Sequence, residues 1–540
     1  MRVQVPPSAP FSGLKNHLGN DFPENPERKR QGTLSFNNYG CRTTGGGTGV
    51  SVTFKPALAA ALLLALPGCS LLSDDGPVRV AAIGAMHRNP DRVPPPLSLP
   101  DSLLLDAVGQ GLVTLTAEGQ IEAGLAERWT VLDDGLSYIF RLRETQWPGG
   151  QRVRAGDIAA MLRQRIASVR LRTALRGEFR DIVQIRAMTE RVIEIQLRRP
   201  QADLLELLAH PDLTLSRNGQ GWGPMAPHWN GNMVSLAERN SSAAEEEGAT
   251  PETPAIAMWG SNSVNGVTQF DQGAADTVIG GRFEGWPMLA AADVASNSIV
   301  RDPVEGMFGL AVTSPRGILS GVEAREAIAM ALDRVRMTRA LDAPGWTPRI
   351  TIRPASTNSQ TLQPVYPAWV DLSATERRSK ARAAVAAWRT HSGRPARPVV
   401  RIALPDGAGA RILFAWLHSD LGAIGIDARR VPLSGNADLR LIDEVAPTSD
   451  PAWFIRRLDC GHDISCNGDA SALVTAIDEA ATPLDRANAI SLAEEAILRH
   501  AAFIPIAAPL RWSLRGNRAA SLHPNARGWH GLYRLQPTPD

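Results

Sequence analysis

The chain has 540 residues, with 57 Lys and Arg against 55 Asp and Glu, a balance that argues against nucleic acid as a partner. Its length and 44% hydrophobic content suffice for two or three cored lobes. Past residue 70 no stretch approaches the roughly 20 apolar residues that a bilayer-crossing helix needs.

Residues 1–54 are rich in Gly, Pro, Asn, Thr and Arg and carry neither helical nor alternating apolar period. They are expected to be disordered or to stem from a start codon set too early, with translation beginning near Val50 or Val52. Lys55 to Ser70 reads KPALAAALLLALPGCS: one cation, an apolar run from Ala57 to Leu66, then Gly68 and Cys69. The run is too short to span a membrane and fits a lipoprotein export signal over 55–69, cut to leave Cys69 as a lipidated N-terminus. The competing reading is a buried helix that ends in Gly-Cys. Export would place the protein in the periplasm or cell envelope, held to a membrane by its lipid.

Downstream, VRVAAIG (78–84) reads as a strand, and Ser102 to Gln110 as a helix. Ser137 to Leu142 and Val192 to Leu197 alternate as half-buried strands, while Asp157 to Val169 carries a helical apolar stripe. The polar, acidic stretch from Asn240 to Pro254 reads as a solvated loop. Helices are expected at Gly321–Leu341, Thr375–Trp388, Ala408–Ile424, Ala470–Ala480 and Leu484–Arg499, with strands at Val399–Ala403 and Ala437–Ile442. This alternation predicts α/β lobes.

In CGHDISC, Cys460 and Cys466 suit a short disulfide loop in an oxidising compartment. Free thiols are a second reading. Metal ligation with His462 is a third, poorly served by the spacing. No histidine pair has ligand spacing, and no cofactor or metal is expected.

Six ordered blocks carry a resemblance. They are G-L-A-E-x-W (Gly124–Trp129) with D-D-G-L-S-Y-x-F (Asp133–Phe140) and W-x-x-G (Trp147–Gly150); G-x-G-P (Gly221–Pro224) with L-x-x-R-N (Leu236–Asn240); and F-D-Q-G-A-A-D (Phe270–Asp276). The others are A-R-E-A-I-A-M-A-L-D-R (Ala324–Arg334), G-A-I-G-I-D (Gly422–Asp427), and the run Leu484–Leu498 leading to F-I-P-I (Phe503–Ile506). Together they resemble extracellular solute-binding protein family 5, the peptide- and nickel-type receptors of ABC importers. The resemblance implies a periplasmic-binding-protein-like α/β fold: two lobes with a hinge plus an inserted extra domain. Lobe I would comprise 70–104, 216–300 and 510–540, the inserted domain 105–215, and the second clasping lobe 301–509. It further implies a monomeric, non-catalytic receptor that delivers a small molecule or peptide to membrane permease subunits.

Departures from the family pattern bear on the ligand. The run Ala437–Pro451, ADLRLIDEVAPTSDP, has Asp443-Glu444 where peptide receptors have Gly-Trp, and Pro447 where they have the Asp that holds a peptide amine. Proline offers no side-chain acceptor, so Glu444 is a candidate replacement. Asp450, Trp453 and Trp222 are further candidate ligand contacts, cleft aromatics being common stacking surfaces. Asp443 and Glu444 adjoin on one strand and would point to opposite faces, which disfavours a shared acid/base role. No G-x-S-x-G, H-E-x-x-H or P-loop occurs. The alternative to a transport receptor is a transport-incompetent member acting as a sensor or accessory lipoprotein.

Overall fold

The computed structural model describes residues 76–169, 174–239, 254–355, 362–460, 464–465 and 468–535. The expected N-terminal extension and export signal with Cys69, the acidic stretch expected as a loop from Asn240, and Cys466 lie outside them.

Two mixed sheets dominate. The first has seven strands in the order Ile299–Arg301, Arg511–Arg515, Thr277–Arg282, Val78–Ile83, Pro254–Ser261, Met233–Glu238 and Met225–Asn230. The second has five: Asp427–Pro432, Val399–Leu404, Leu439–Val445, Gly306–Val312 and Phe503–Ala507. Val78–Ile83 is paired in parallel on both sides, to Pro254–Ser261 and Thr277–Arg282, and Val399–Leu404 likewise to its two neighbours. Parallel pairing needs long crossovers, and helices such as Ser263–Asp271 and Ala408–Ala423 supply them. A third, antiparallel sheet (Ala126–Leu132, Ser137–Leu142, Val192–Leu197, Ile182–Thr189) has its own core around Phe140, Ile158, Phe179 and Ile195. This is the two-lobed α/β architecture with an inserted unit. The chain passes between the main sheets at residues 302–305 and 508–510.

One local device recurs in both main sheets. Asp276, immediately before the strand Thr277–Arg282, accepts the Arg79 amide and its Nη2 at 2.8 Å each. Asp438, immediately before Leu439–Val445, does the same to the amide and Nη2 of Arg401, again at 2.8 Å. Burial alone would raise both carboxyls, but the hydrogen bonds and charge of the facing arginine hold them below the usual carboxylate range. Each pair locks the register of two parallel strands at their starts.

The single helix expected over Gly321–Leu341 is two helices, Val322–Ala331 and Arg334–Leu341. At the break, the Asp333 amide donates to Asp420 Oδ2 at 2.8 Å while its carboxylate caps the next helix at the Arg336 amide. Arg334 therefore opens the second helix instead of lying in the middle of one. It is buried, donates to the carbonyls of Pro505, Ala329 and Leu332, and is pulled by burial down to about 9.

Strand Gly306–Val312 lies inside its sheet, between Leu439–Val445 and Phe503–Ala507, with all seven residues buried. It has no alternation because both its faces are covered.

Candidate functional site

A cleft of about 570 Å³ lies between the two main sheets and the inserted unit. One wall comes from Leu97, Leu99, Arg282, Glu284 and Arg511, on or beside the seven-stranded sheet. The opposite wall is the end of strand Leu439–Val445 with Ala446, Pro447 and Arg457. Glu206, His210 and Asp212 of the inserted unit, with Arg527 and Trp529 of the C-terminal segment, line its mouth. The volume falls in the range of small-molecule sites.

Asp443 and Glu444 have separate partners, as strand geometry dictates. Arg511 Nη1 donates to Asp443 Oδ1 at 2.7 Å and Arg511 Nη2 to the Asp443 carbonyl at 3.1 Å, so one side chain ties the two sheets together. Burial draws the Arg511 guanidinium below its ordinary value. Glu444 receives a two-pronged bond from Arg457 Nε and Nη2 at 2.6 and 2.7 Å. Glu444 does line the cleft, with an arginine already on its carboxylate. Pro447 lines the cleft too.

At the mouth, Glu206 accepts from the Ser449 amide and hydroxyl at 2.8 Å each and pairs with Arg527. The carboxylate thus joins the inserted unit to the second lobe and the C-terminal segment. His210 Nδ1 accepts the Asp212 amide at 3.2 Å, and burial lowers the affinity of its ring for a second proton. Glu284 differs from these groups. Its carboxylate makes no hydrogen bond or ion pair among the described residues, and Oε2 is shielded. Burial first, then the Asp443 charge, pushes it above the usual range.

Asp450 lines a second cavity of about 760 Å³, between the inserted unit and the second lobe. Arg456 joins Glu178 through Nε and Nη2 at 3.0 and 2.8 Å and also reaches Asp450 at 2.8 Å. Arg486 adds a bond to Asp450 at 2.7 Å. Burial alone would raise Asp450, but Arg456 and Arg486 outweigh it and hold the carboxyl low. Glu178 goes the other way: burial raises it in spite of Arg456.

The two tryptophans expected at the ligand are core residues. Trp453 is fully buried, packs edge-on against Phe454 and donates its indole N–H to the Ala174 carbonyl at 2.9 Å. The short helix Ala452–Arg456 turns this face inward, onto helix Pro483–His500. Trp222 is buried edge-on to Trp147 at 4.4 Å, in the core of the inserted unit. Cys460 is disulfide-bonded. Its expected partner Cys466 lies outside the described residues, so the pairing of these two stays a proposal.

Sequence reasoning did not find Glu206, Glu284 or Arg511, nor Glu178, Asp478 and Arg486 around Arg456 and Asp450. Arg511 and Asp443 are 68 positions apart, and no local pattern links them.

A cleft between two α/β lobes joined by crossovers is the architecture of a solute-binding receptor. Residues 120–443, more than half of the chain, match the model of the bacterial extracellular solute-binding proteins, family 5, and the chain belongs to that family. The family consists of binding receptors located in the periplasm or outside the cell. A probable deoxycholate-binding periplasmic protein of Escherichia coli, YgiS, is 28% identical over 149 residues, which are 23% of this chain and 28% of YgiS. The dipeptide-binding protein DppE of Bacillus subtilis is 27% identical over 122 residues, 20% of this chain and 22% of DppE. The matches thus span about a quarter of these relatives' length. Among solved structures, Haemophilus influenzae OppA in complex with the peptide RPPGFSPFR superposes with a TM-score of 0.71 at 16% identity, covering 86% of this chain and 99% of that one.

Proposed function

We propose that this chain is the substrate-binding receptor of an ABC importer, capturing a small peptide or peptide-like solute between its lobes and delivering it to membrane permease subunits. The observation that carries this reading is the 570 Å³ cleft walled by both sheets and lined by arginines and carboxylates in near-equal number. Such a lining suits a solute with charges of both signs. Names of the relatives point the same way, DppE being a dipeptide-binding protein and OppA a complex with a nonapeptide. Pro447 in the cleft wall removes the peptide-amine acceptor that the family resemblance would put there, so the solute is held differently.

The rest of the reading is of one piece. Lobe I takes 70–104, 216–300 and 510–540, the inserted domain 105–215 and the clasping lobe 301–509. The protein works outside the cytoplasm as a monomer, tethered through a lipid on Cys69, with a Cys460–Cys466 bridge in its second lobe. It catalyses no reaction. The sensor or accessory alternative draws no support from the relatives, whose names describe binding proteins.

The experiment is mass spectrometry of solute released from the purified chain, followed by thermal-shift screening of a peptide and metabolite library. A receptor is expected to carry or be stabilised by a defined small solute, by about 2.7 kcal/mol at a hundredfold excess over Kd. Failure of every compound to raise the melting temperature would sink the reading.

A further inference from the structure

We infer that Glu284 is the anchor for a protonated amine of the solute, placing the cation acceptor of this cleft on lobe I instead of at the family position in the second lobe. The inference rests on the receptor reading and assigns a residue and a ligand chemistry to it.

Five carboxylates line the cleft. Asp443 is held by Arg511, Glu444 by Arg457 and Glu206 by Arg527 and Ser449. Asp212 lies 3.9 Å from His210 Nδ1. Glu284 alone among these has neither a hydrogen bond nor an ion pair among the described residues; Oε2 is shielded, which leaves Oε1 as the oxygen open to a ligand. Glu284 is half-buried, with only one oxygen shielded and no salt bridge to the nearby Arg282, so a cation arriving at the carboxylate finds no competing partner to displace. An ammonium group entering the cleft is such a cation, compact and with several donors. Pro447 cannot supply that contact, and Glu444 already carries a guanidinium on both oxygens.

The surroundings connect this carboxylate to closure of the cleft. The Glu284 carbonyl accepts the Gly409 amide at 3.0 Å, across the seam between the lobes. Glycine at 407 and 409 lets the helix start come this close: a Cβ on Gly407 would lie 2.8 Å from the Glu284 Cβ. An amine bound at Glu284 therefore sits beside the point where the second lobe meets the first. Arg282 and Arg176, both in the cleft lining and without an ion pair among the described residues, remain for the anionic groups of a zwitterionic solute.

The test is isothermal titration of the purified full-length chain and of Glu284→Gln at pH 7 with three probes: trialanine, N-acetyl-trialanine and spermidine. Trialanine is expected to bind at least tenfold more tightly than its acetylated form. Glu284→Gln should abolish that preference while its melting temperature stays equal or rises, since a neutral amide removes an unpaired carboxylate. Equal affinity of both peptides for the wild type, or a preference that survives Glu284→Gln, overturns the anchor and leaves the peptide-receptor reading standing. Spermidine binding to the wild type but not the variant, with no binding of either peptide, upholds the amine anchor and removes the peptide reading. Binding of none of the three overturns both.

Discussion

The main-chain carbonyl of Glu284 accepts the amide of Gly409 at 3.0 Å, so a residue of one lobe caps the first turn of a helix in the other. That helix, Ala408–Ala423, has a glycine at its N-cap and no side-chain cap of its own. First-turn amides have no acceptor within their own helix, and for Gly409 the other lobe supplies one. The seam also depends on the absence of a side chain: a Cβ on Gly409 would lie 2.1 Å from the Phe283 carbonyl oxygen.

Gly409→Ala should therefore hold the lobes apart. Alanine is about 1 kcal/mol better than glycine within a helix, so the helix itself should not suffer. The expected outcome is an increased radius of gyration in small-angle scattering with unchanged far-ultraviolet helicity. A wild-type radius would show that the seam contributes nothing to closure.

Arg456 is the fastening between the inserted unit and the second lobe, joining Glu178 at 2.8 Å to Asp450 at 2.8 Å and lying 3.6 Å from Asp478. Burial alone would lower its proton affinity, but the charges of Glu178 and Asp450 reverse the sign and keep it firmly cationic. Arg456→Leu leaves buried carboxylates facing one another and should cost about 3–5 kcal/mol. Hydrogen exchange should accelerate both around Glu178 and in the helix Ala452–Arg456. Loss of protection on one side only would mean the two units are fastened elsewhere.

How much of this was legible in the sequence depends on where the determining partner sits. Helices Ala374–Ser392 and Pro483–His500 announce themselves through local caps, Ser373 with Glu376 in a capping box and Thr482 on the Asp485 amide. The break after Leu332 does not, because the apolar period runs on while Asp420, 87 positions away, captures the Asp333 amide. Strands such as Gly306–Val312, inside its sheet, and Phe503–Ala507, at the edge of the same sheet, are buried throughout and show no alternation to read. In the site, Glu444 was legible as a departure from a familiar run. Its arginine was not, and Glu284 could not be, since its distinguishing property is a missing partner in a cleft assembled from distant segments.

Arg353 and Glu494 form an ion pair that is 2% and 0% exposed, with Nη2 to Oε2 at 2.7 Å. The Glu494 oxygens also accept the amides of Arg353 and Val365, at 3.1 Å each. This carboxylate organises the segment that crosses over helix Pro483–His500. Glu494→Ala strands a buried guanidinium and two amides, for an expected loss of about 3–5 kcal/mol by denaturant titration. Replacing both residues by leucine should recover part of the loss, because the charges then vanish together. A double variant less stable than Glu494→Ala would show that the pair is worth more than its desolvation.

Asp106 lies on the helix Leu99–Val108, 7% exposed, with Oδ2 lacking a hydrogen-bond partner among the described residues. Burial, opposed more weakly by Trp529 and Arg534, pushes its carboxyl from 3.8 up to about 6. The folded protein therefore keeps this proton at pH values where the unfolded chain releases it. The stability this gives is complete below about pH 4 and disappears as pH rises through 6, a change of roughly 3 kcal/mol for a shift of about two units. Asp106→Asn keeps the shape and cannot ionise. Relative to the wild type it should gain stability between pH 4 and pH 6 and hold a constant advantage of up to roughly 3 kcal/mol at higher pH. Chemical denaturation of both proteins at pH 4, 5, 6 and 7 measures this directly. A difference that stays the same at all four pH values would mean that Asp106 titrates alike in the folded and unfolded chains.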